Sequence, residues 1–152
     1  MAELEVRAIA RRELDQLLPL LAAYQRFYGA EPDIERNRSF FSRFVHPSDE
    51  GLLLGAWIDL DLAGFATLYW FFSSTKAAES VLMNDLFVRE EVRGTGIGRA
   101  LISSALDEAR RRGAAHLEWF TAPDNLAAQR LYDSMPGAKR STWYAYEIDA
   151  ER

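Results

Sequence analysis

The chain has 152 residues, 49% hydrophobic and 12% aromatic, with a formal net charge of -5 and no cysteine. That length and apolar content predict one folded domain over 1–152 and not a disordered chain. The composition excludes disulfides, thiolate metal sites and a cysteine nucleophile. It also disfavours nucleic acid, whose partners usually carry a basic surface.

No run of about 18 apolar residues predicts a membrane span. The N-terminal stretch "MAELEVRAIARREL" has no apolar signal-peptide core, so a cytoplasmic protein is expected. The acidic balance would attract a cationic partner.

In chain order, "ELEVRAIA" alternates and predicts a strand. In "RRELDQLLPLLAAYQRFYG", Leu14, Leu17, Leu18, Leu21 and Ala22 recur at helical spacing, and Gly29 stops the run. Pro19 either bends this helix or marks its first turn. "DIERNRSFFSRFV" predicts a second helix with Phe40, Phe41 and Phe44 on one face. "GLLLGAWIDLDLAGFATLYWFFS" reads as two strands with a hairpin turn at Asp59 to Asp61. "SVLMNDLFVRE" is a nearly continuous apolar run, predicting a central strand buried on both faces.

"GIGRALISSALDEARRRG" predicts an amphipathic helix with Ile97, Leu101, Ile102, Ala105, Leu106 and Ala109 on its buried side. Arg110 to Arg112 suit the negative end of its dipole, and Gly113 ends it. "AHLEWFTA" predicts a strand. "DNLAAQRLYDSM" predicts a short helix capped by Asp124 or Asn125. "AKRSTWYAYEI" alternates and predicts one or two closing strands. The order β-α-α-β-β-β-α-β-α-β implies an α/β or α+β fold, a mixed sheet flanked by helices.

Three glycines, Gly94, Gly96 and Gly98, stand directly before the amphipathic helix. The first amides of a helix have no partner within it, and the dipole places partial positive charge there. Such an end binds phosphates. Glycine allows an anion to approach the backbone and permits left-handed φ. Arg93, Gly94, Thr95, Gly96, Ile97, Gly98 and Arg99 therefore form a candidate pyrophosphate cradle between a strand and a helix. The alternative is a tight turn with close helix packing. A dinucleotide fingerprint fails, because Arg99 stands three residues after Gly96, and a P-loop lacks its Gly-Lys-Ser/Thr.

The run Arg93-Gly94-x-Gly96-x-Gly98 resembles the acyl-CoA signature of the GNAT N-acetyltransferases, R/Q-x-x-G-x-G/A. The preceding "MNDLFV" resembles their central strand. "NLAAQRLYDSMPGA" resembles their second signature, N-x-x-A-x-x-L-Y followed by Gly, and the element order matches along nearly the whole chain. "LLPLLAAYQRFYG" and "LEWFTAPDNLAAQRLYD" narrow the likeness to the branch of diamine, polyamine and small-amine acetyltransferases. One departure is present. Pro136 precedes Gly137 and Ala138 replaces an aromatic, lengthening the loop by one residue.

The resemblance implies acetyl-CoA as donor, a primary amine as acceptor, and direct transfer in a ternary complex. It implies that Leu86, Phe87 and Val88 lie along the pantetheine arm, with the N–H of Phe87 or Val88 as oxyanion donor. Asn125 joins them as helix cap and pantetheine partner, followed by Ala128.

A primary ammonium is only roughly 0.1% neutral at pH 7, so the acceptor must lose a proton. Asn84 and Asp85 stand where related polyamine enzymes carry an acidic pair. Asp85 or Glu118 could support deprotonation through water, or be a paired structural carboxylate. Tyr132 is the implied acid for the leaving thiolate, since a phenol stays protonated at pH 7; otherwise it is a tyrosine packed on the sheet.

The acceptor pocket is expected near Tyr24, Phe27, Tyr28, Glu31 and Asp33, with Trp119 beside the cofactor slot and Trp143, Tyr144 and Tyr146 near the end. Aromatics with carboxylates suit an alkylammonium; they could equally be core or dimer interface. Ser103 and Ser104 lack a nucleophile elbow. His46 and His116 lack metal-ligand spacing, and no metal is expected. The resemblance further implies a homodimer. The competing functions are a protein lysine or N-terminal acetyltransferase, a non-catalytic acyl-CoA sensor, and a nucleotide-binding module.

Overall fold

A computed structural model describes residues 2–151. The chain forms two compact units, one up to Phe120 and one from Thr121 onward. In the first, five strands make one sheet in sequential order. Strands β1 (Leu4–Ala8), β2 (Gly51–Ile58), β3 (Asp61–Ser73) and β4 (Ala78–Val88) are antiparallel neighbours, and β5 (Leu117–Glu118) runs parallel to β4. The β2–β3 hairpin turns at Asp59, whose φ is 55°.

One face of the sheet is covered by α1 (Leu14–Phe27) and α2 (Ile34–Phe41). The helical spacing of Leu14, Leu17, Leu18 and Leu21 buries all four with Phe41, Phe44, Trp57 and Phe65. Each such side chain contributes roughly 1.5–3 kcal/mol. Pro19 lies inside α1, which continues to Phe27. Asp33 caps α2 by accepting from the Arg36 N–H at 3.0 Å. At the entry to α1, both guanidinium nitrogens of Arg7 donate to Glu13, at 2.8 and 2.7 Å. The Ala10 N–H adds a third bond at 2.9 Å.

Helix α3 (Ile97–Arg111) buries Ile97, Leu101, Ile102, Ala105 and Ala109 and contacts β2, β3 and β4. A Cβ at Gly64 would lie 2.7 Å from the Phe87 carbonyl oxygen and 3.4 Å from atoms of Ile97 and Leu101. The missing side chain is what lets helix and sheet approach so closely there.

Two expectations fail. The central strand is not buried on both faces along its length: Val81 and Met83 are buried, but Asn84 is exposed and Leu86 to Val88 are half-buried. For Leu86 to Val88 the cause is the brevity of β5, which stops at Glu118 while β4 runs on to Val88. The closing strands are also absent. The second unit contains α4 (Leu126–Asp133), and among the described residues no strand follows it. Trp143, Tyr144, Tyr146 and Ile148 are 82–95% exposed. Alternation supplies one half of a ladder, and a strand also needs a neighbouring edge for its main-chain groups.

Candidate active site

The sheet forks. Val81 pairs with Leu117 and Leu82 with Glu118, after which β4 pairs with no further strand on that side among the described residues. The Arg89 N–H donates to the Ala63 carbonyl at 2.8 Å, which fixes the phase of the β3–β4 ladder. Hydrogen-bonded pairs alternate along an antiparallel ladder, so Phe87 turns its main chain toward β3. Leu86 and Val88 turn theirs toward the open side. The three candidates thus separate: Leu86 and Val88 present backbone to the fork, whereas Phe87 contributes its ring. The Val88 carbonyl accepts from Arg93 Nε at 2.8 Å, leaving its N–H as the oxyanion candidate.

The chain then enters the glycine turn. Gly94 and Gly96 have φ of 78° and 92°, a region that L side chains rarely adopt. A Cβ on either would meet nothing within 4 Å, so the requirement is conformational and the space above the turn is open. Gly96 is the N-cap of α3. The Thr95 hydroxyl donates to the Val92 carbonyl at 2.6 Å, tightening the turn from behind. Ile97 anchors the helix in the core, while Gly98 and the exposed Arg99 occupy its first turn. Unpaired amides, an aligned dipole, nearby arginines and no Cβ in the way together suit a phosphate-bearing ligand.

Asp85 lies on the face covered by α1. The β3–β4 register shifts so that Thr67 pairs with Asp85 and Leu68 with Met83, leaving Asn84 as the extra residue of a bulge. The bulge separates the neighbours: Asn84 is exposed and Asp85 is buried, at 7%. The Thr67 hydroxyl donates to Asp85 Oδ2, and Asn84 Nδ2 donates to Oδ1 at 3.1 Å. Burial, reinforced by the Asp85 charge, raises the Tyr24 phenol well above its ordinary range. The same two causes push Tyr69 up to about 12. Both phenols therefore stay neutral.

Sequence reasoning missed Thr67 and Tyr69. The signal was the pairing of the two strands, but the bulge displaces the count by one residue.

Tyr24 packs edge-on to Phe65 and Phe87, with ring centroids at 6.0 and 6.3 Å, and lies 4.9 Å from Tyr28. Tyr28 and Phe27 are exposed. Glu31 lies outside this cluster at the surface, its carbonyl accepting from Arg36. Asp33 serves as a helix cap. Glu118 ends β5 at the fork and lies 3.5 Å from His116 Nε2, while Trp119 follows, half-buried. In the second unit, Asn125 caps α4 by accepting from the Ala128 N–H at 3.2 Å. Tyr132 lies half-buried in the last turn of that helix.

A family profile described as "Acetyltransferase (GNAT) family" matches residues 14–135. The chain is 30% identical over 130 residues to the uncharacterized N-acetyltransferase YhfO of Bacillus subtilis, covering 86% of this chain and 87% of that protein. It is 33% identical over 129 residues to the D-amino-acid N-acetyltransferase HPA3 of Saccharomyces cerevisiae, covering 84% and 80%. A crystal structure described as a probable acetyltransferase superposes with a TM-score of 0.81 at 28% identity, covering 99% of each chain.

Proposed function

Since this chain belongs to the acetyltransferase (GNAT) family and is an acyl-CoA-dependent N-acetyltransferase, we propose that it moves the acetyl group of acetyl-CoA to a small primary amine, a polyamine among the candidates. The observation that carries the donor half is the open edge of β4 running into two left-handed glycines at the head of α3. The first amides of α3, with Arg93 and Arg99, hold the pyrophosphate. Leu86 and Val88 pair with the pantetheine arm, and the Val88 N–H faces the developing oxyanion. The donor supplies an activated thioester carbonyl, and the chain's residues do the rest.

Asp85 sits on the acceptor side, where a carboxylate draws in an ammonium and orders the water that takes its proton. Glu118 supports the same path from the fork. The neutral amine attacks the carbonyl, a C–N bond forms and the C–S bond breaks. Tyr132 gives the leaving sulfur a proton. Tyr24, Tyr28 and Trp119 line the acceptor's route. The D-amino-acid acceptors named for the yeast relative support a small-molecule acceptor here. We place the reaction in the cytoplasm, in a single catalytic domain, and in a homodimer to which the exposed C-terminal segment contributes.

The test is thiol release from acetyl-CoA with polyamines, amino acids, aminoglycosides and lysine peptides, using Tyr132→Phe as control. Release that follows one amine class, with turnover at least tenfold lower in the variant at unchanged acetyl-CoA affinity, supports the reading. Acetyl-CoA binding without release to any amine would point to a sensor.

A further inference from the structure

Asp85 is a buried carboxylate without a cation. Its hydrogen-bond donors are Thr67 and Asn84, both neutral, and none of the ion pairs among the described residues includes it. An ionised carboxylate out of water is costly unless it is paired and hydrogen-bonded. Here the hydrogen bonds are present and the opposite charge is not.

The bonds also fix the group. Thr67 is fully buried, at 0% exposure, on the strand directly opposite. Its hydroxyl holds Oδ2, while Asn84 holds Oδ1 from the bulge. Phe87, two residues further along the same face of β4, packs edge-on to Tyr24 with ring centroids 6.3 Å apart, and the Asp85 charge helps raise the Tyr24 and Tyr69 phenols. A fixed carboxylate with no cation partner and aromatic rings on the same face of the sheet has the chemistry of an alkylammonium seat.

We propose that Thr67 is a positioning residue for the acceptor: its hydroxyl holds Asp85 so that this carboxylate receives the acceptor's ammonium group. The proposal rests on the amine acceptor given above and adds the residue that prepares its seat. Thr67 touches neither substrate. It acts through Asp85, and it would set acceptor affinity without affecting the donor.

The experiment is calorimetric binding of spermidine and of n-butylamine to the full chain saturated with CoA, which needs no turnover. Thr67→Val keeps the shape and removes the donor; Thr67→Ser keeps the donor. Thr67→Val should weaken amine binding about tenfold or more and leave CoA binding unchanged, and Thr67→Ser should restore most of the loss. Asn84→Ala, which removes the donor to Oδ1, should weaken amine binding in the same direction and serves if Thr67→Val does not fold. Equal amine affinity in wild type, Thr67→Val and Asn84→Ala would overturn the proposal while leaving the acetyltransferase reading intact. So would an absence of amine binding by the wild type. Amine binding that depends on Thr67 in a protein that acetylates none of the amines would uphold the seat and overturn the proposed reaction.

Discussion

Arg93 reaches back over its own turn to donate from Nε to the Val88 carbonyl at 2.8 Å, tying the head of the glycine loop to the end of β4. Its guanidinium also lies 5.5 Å from the centre of the Phe87 ring. One side chain thus joins the open strand edge to the anion cradle and brings positive charge to both. Arg93→Ala should weaken CoA binding about tenfold, a loss of about 1.4 kcal/mol, with only a small effect on melting temperature. Arg93→Lys should recover part of it, since lysine supplies the charge without the planar fork. Titration calorimetry with CoA decides it; unchanged affinity in Arg93→Ala would remove the residue from the cradle.

Gly96 caps α3 at φ 92° with no atom within 4 Å of where a Cβ would be. Gly96→Ala therefore costs backbone strain and not a clash, about 1–2 kcal/mol. The added methyl also enters the space assigned to phosphate. CoA affinity should fall further than stability does. Paired denaturation and binding curves test this; a loss of stability with full CoA affinity would place the phosphate elsewhere.

Glu13 is nearly buried and bound by Arg7 and the Ala10 amide. The Arg7 hydrogen bonds, against the penalty of burial, hold its carboxyl at about 2, below its ordinary 4.5. The folded state thus binds this proton less readily than the unfolded chain. The stabilisation is fully present above about pH 4.5 and is lost as pH falls toward about 2. Glu13→Gln should cost about 1–3 kcal/mol at pH 7, with the gap to wild type narrowing toward pH 2. Urea denaturation at several pH values measures it, and a gap independent of pH would assign the effect to packing.

The C-terminal segment exposes Tyr144, Tyr146 and Ile148 at 87–95%, an apolar row at strand spacing. If a second copy supplies the missing edge, replacing all three with serine should convert a dimer into a monomer. Light scattering after size exclusion reads the mass directly. Identical dimers before and after the change would place the interface elsewhere.

Much of this protein is decided by neighbours in sequence. The leucine spacing of α1, the Asn125 cap, the Asp59 turn and the glycines before α3 depend on contacts within a few residues. Those contacts are legible from the chain alone, and the glycine run with the Asn125 segment carries the resemblance to the family and the expected donor cradle. What tertiary structure decided lies where distant strands meet. The bulge that buries Asp85 and exposes Asn84 exists only once β3 and β4 are in register, and that register brings Thr67 to the carboxylate. The fork exists because β5 ends at Glu118. The alternation of 138–148 reads as a strand, but a strand also needs an edge to pair with, and no pattern within the segment can supply one.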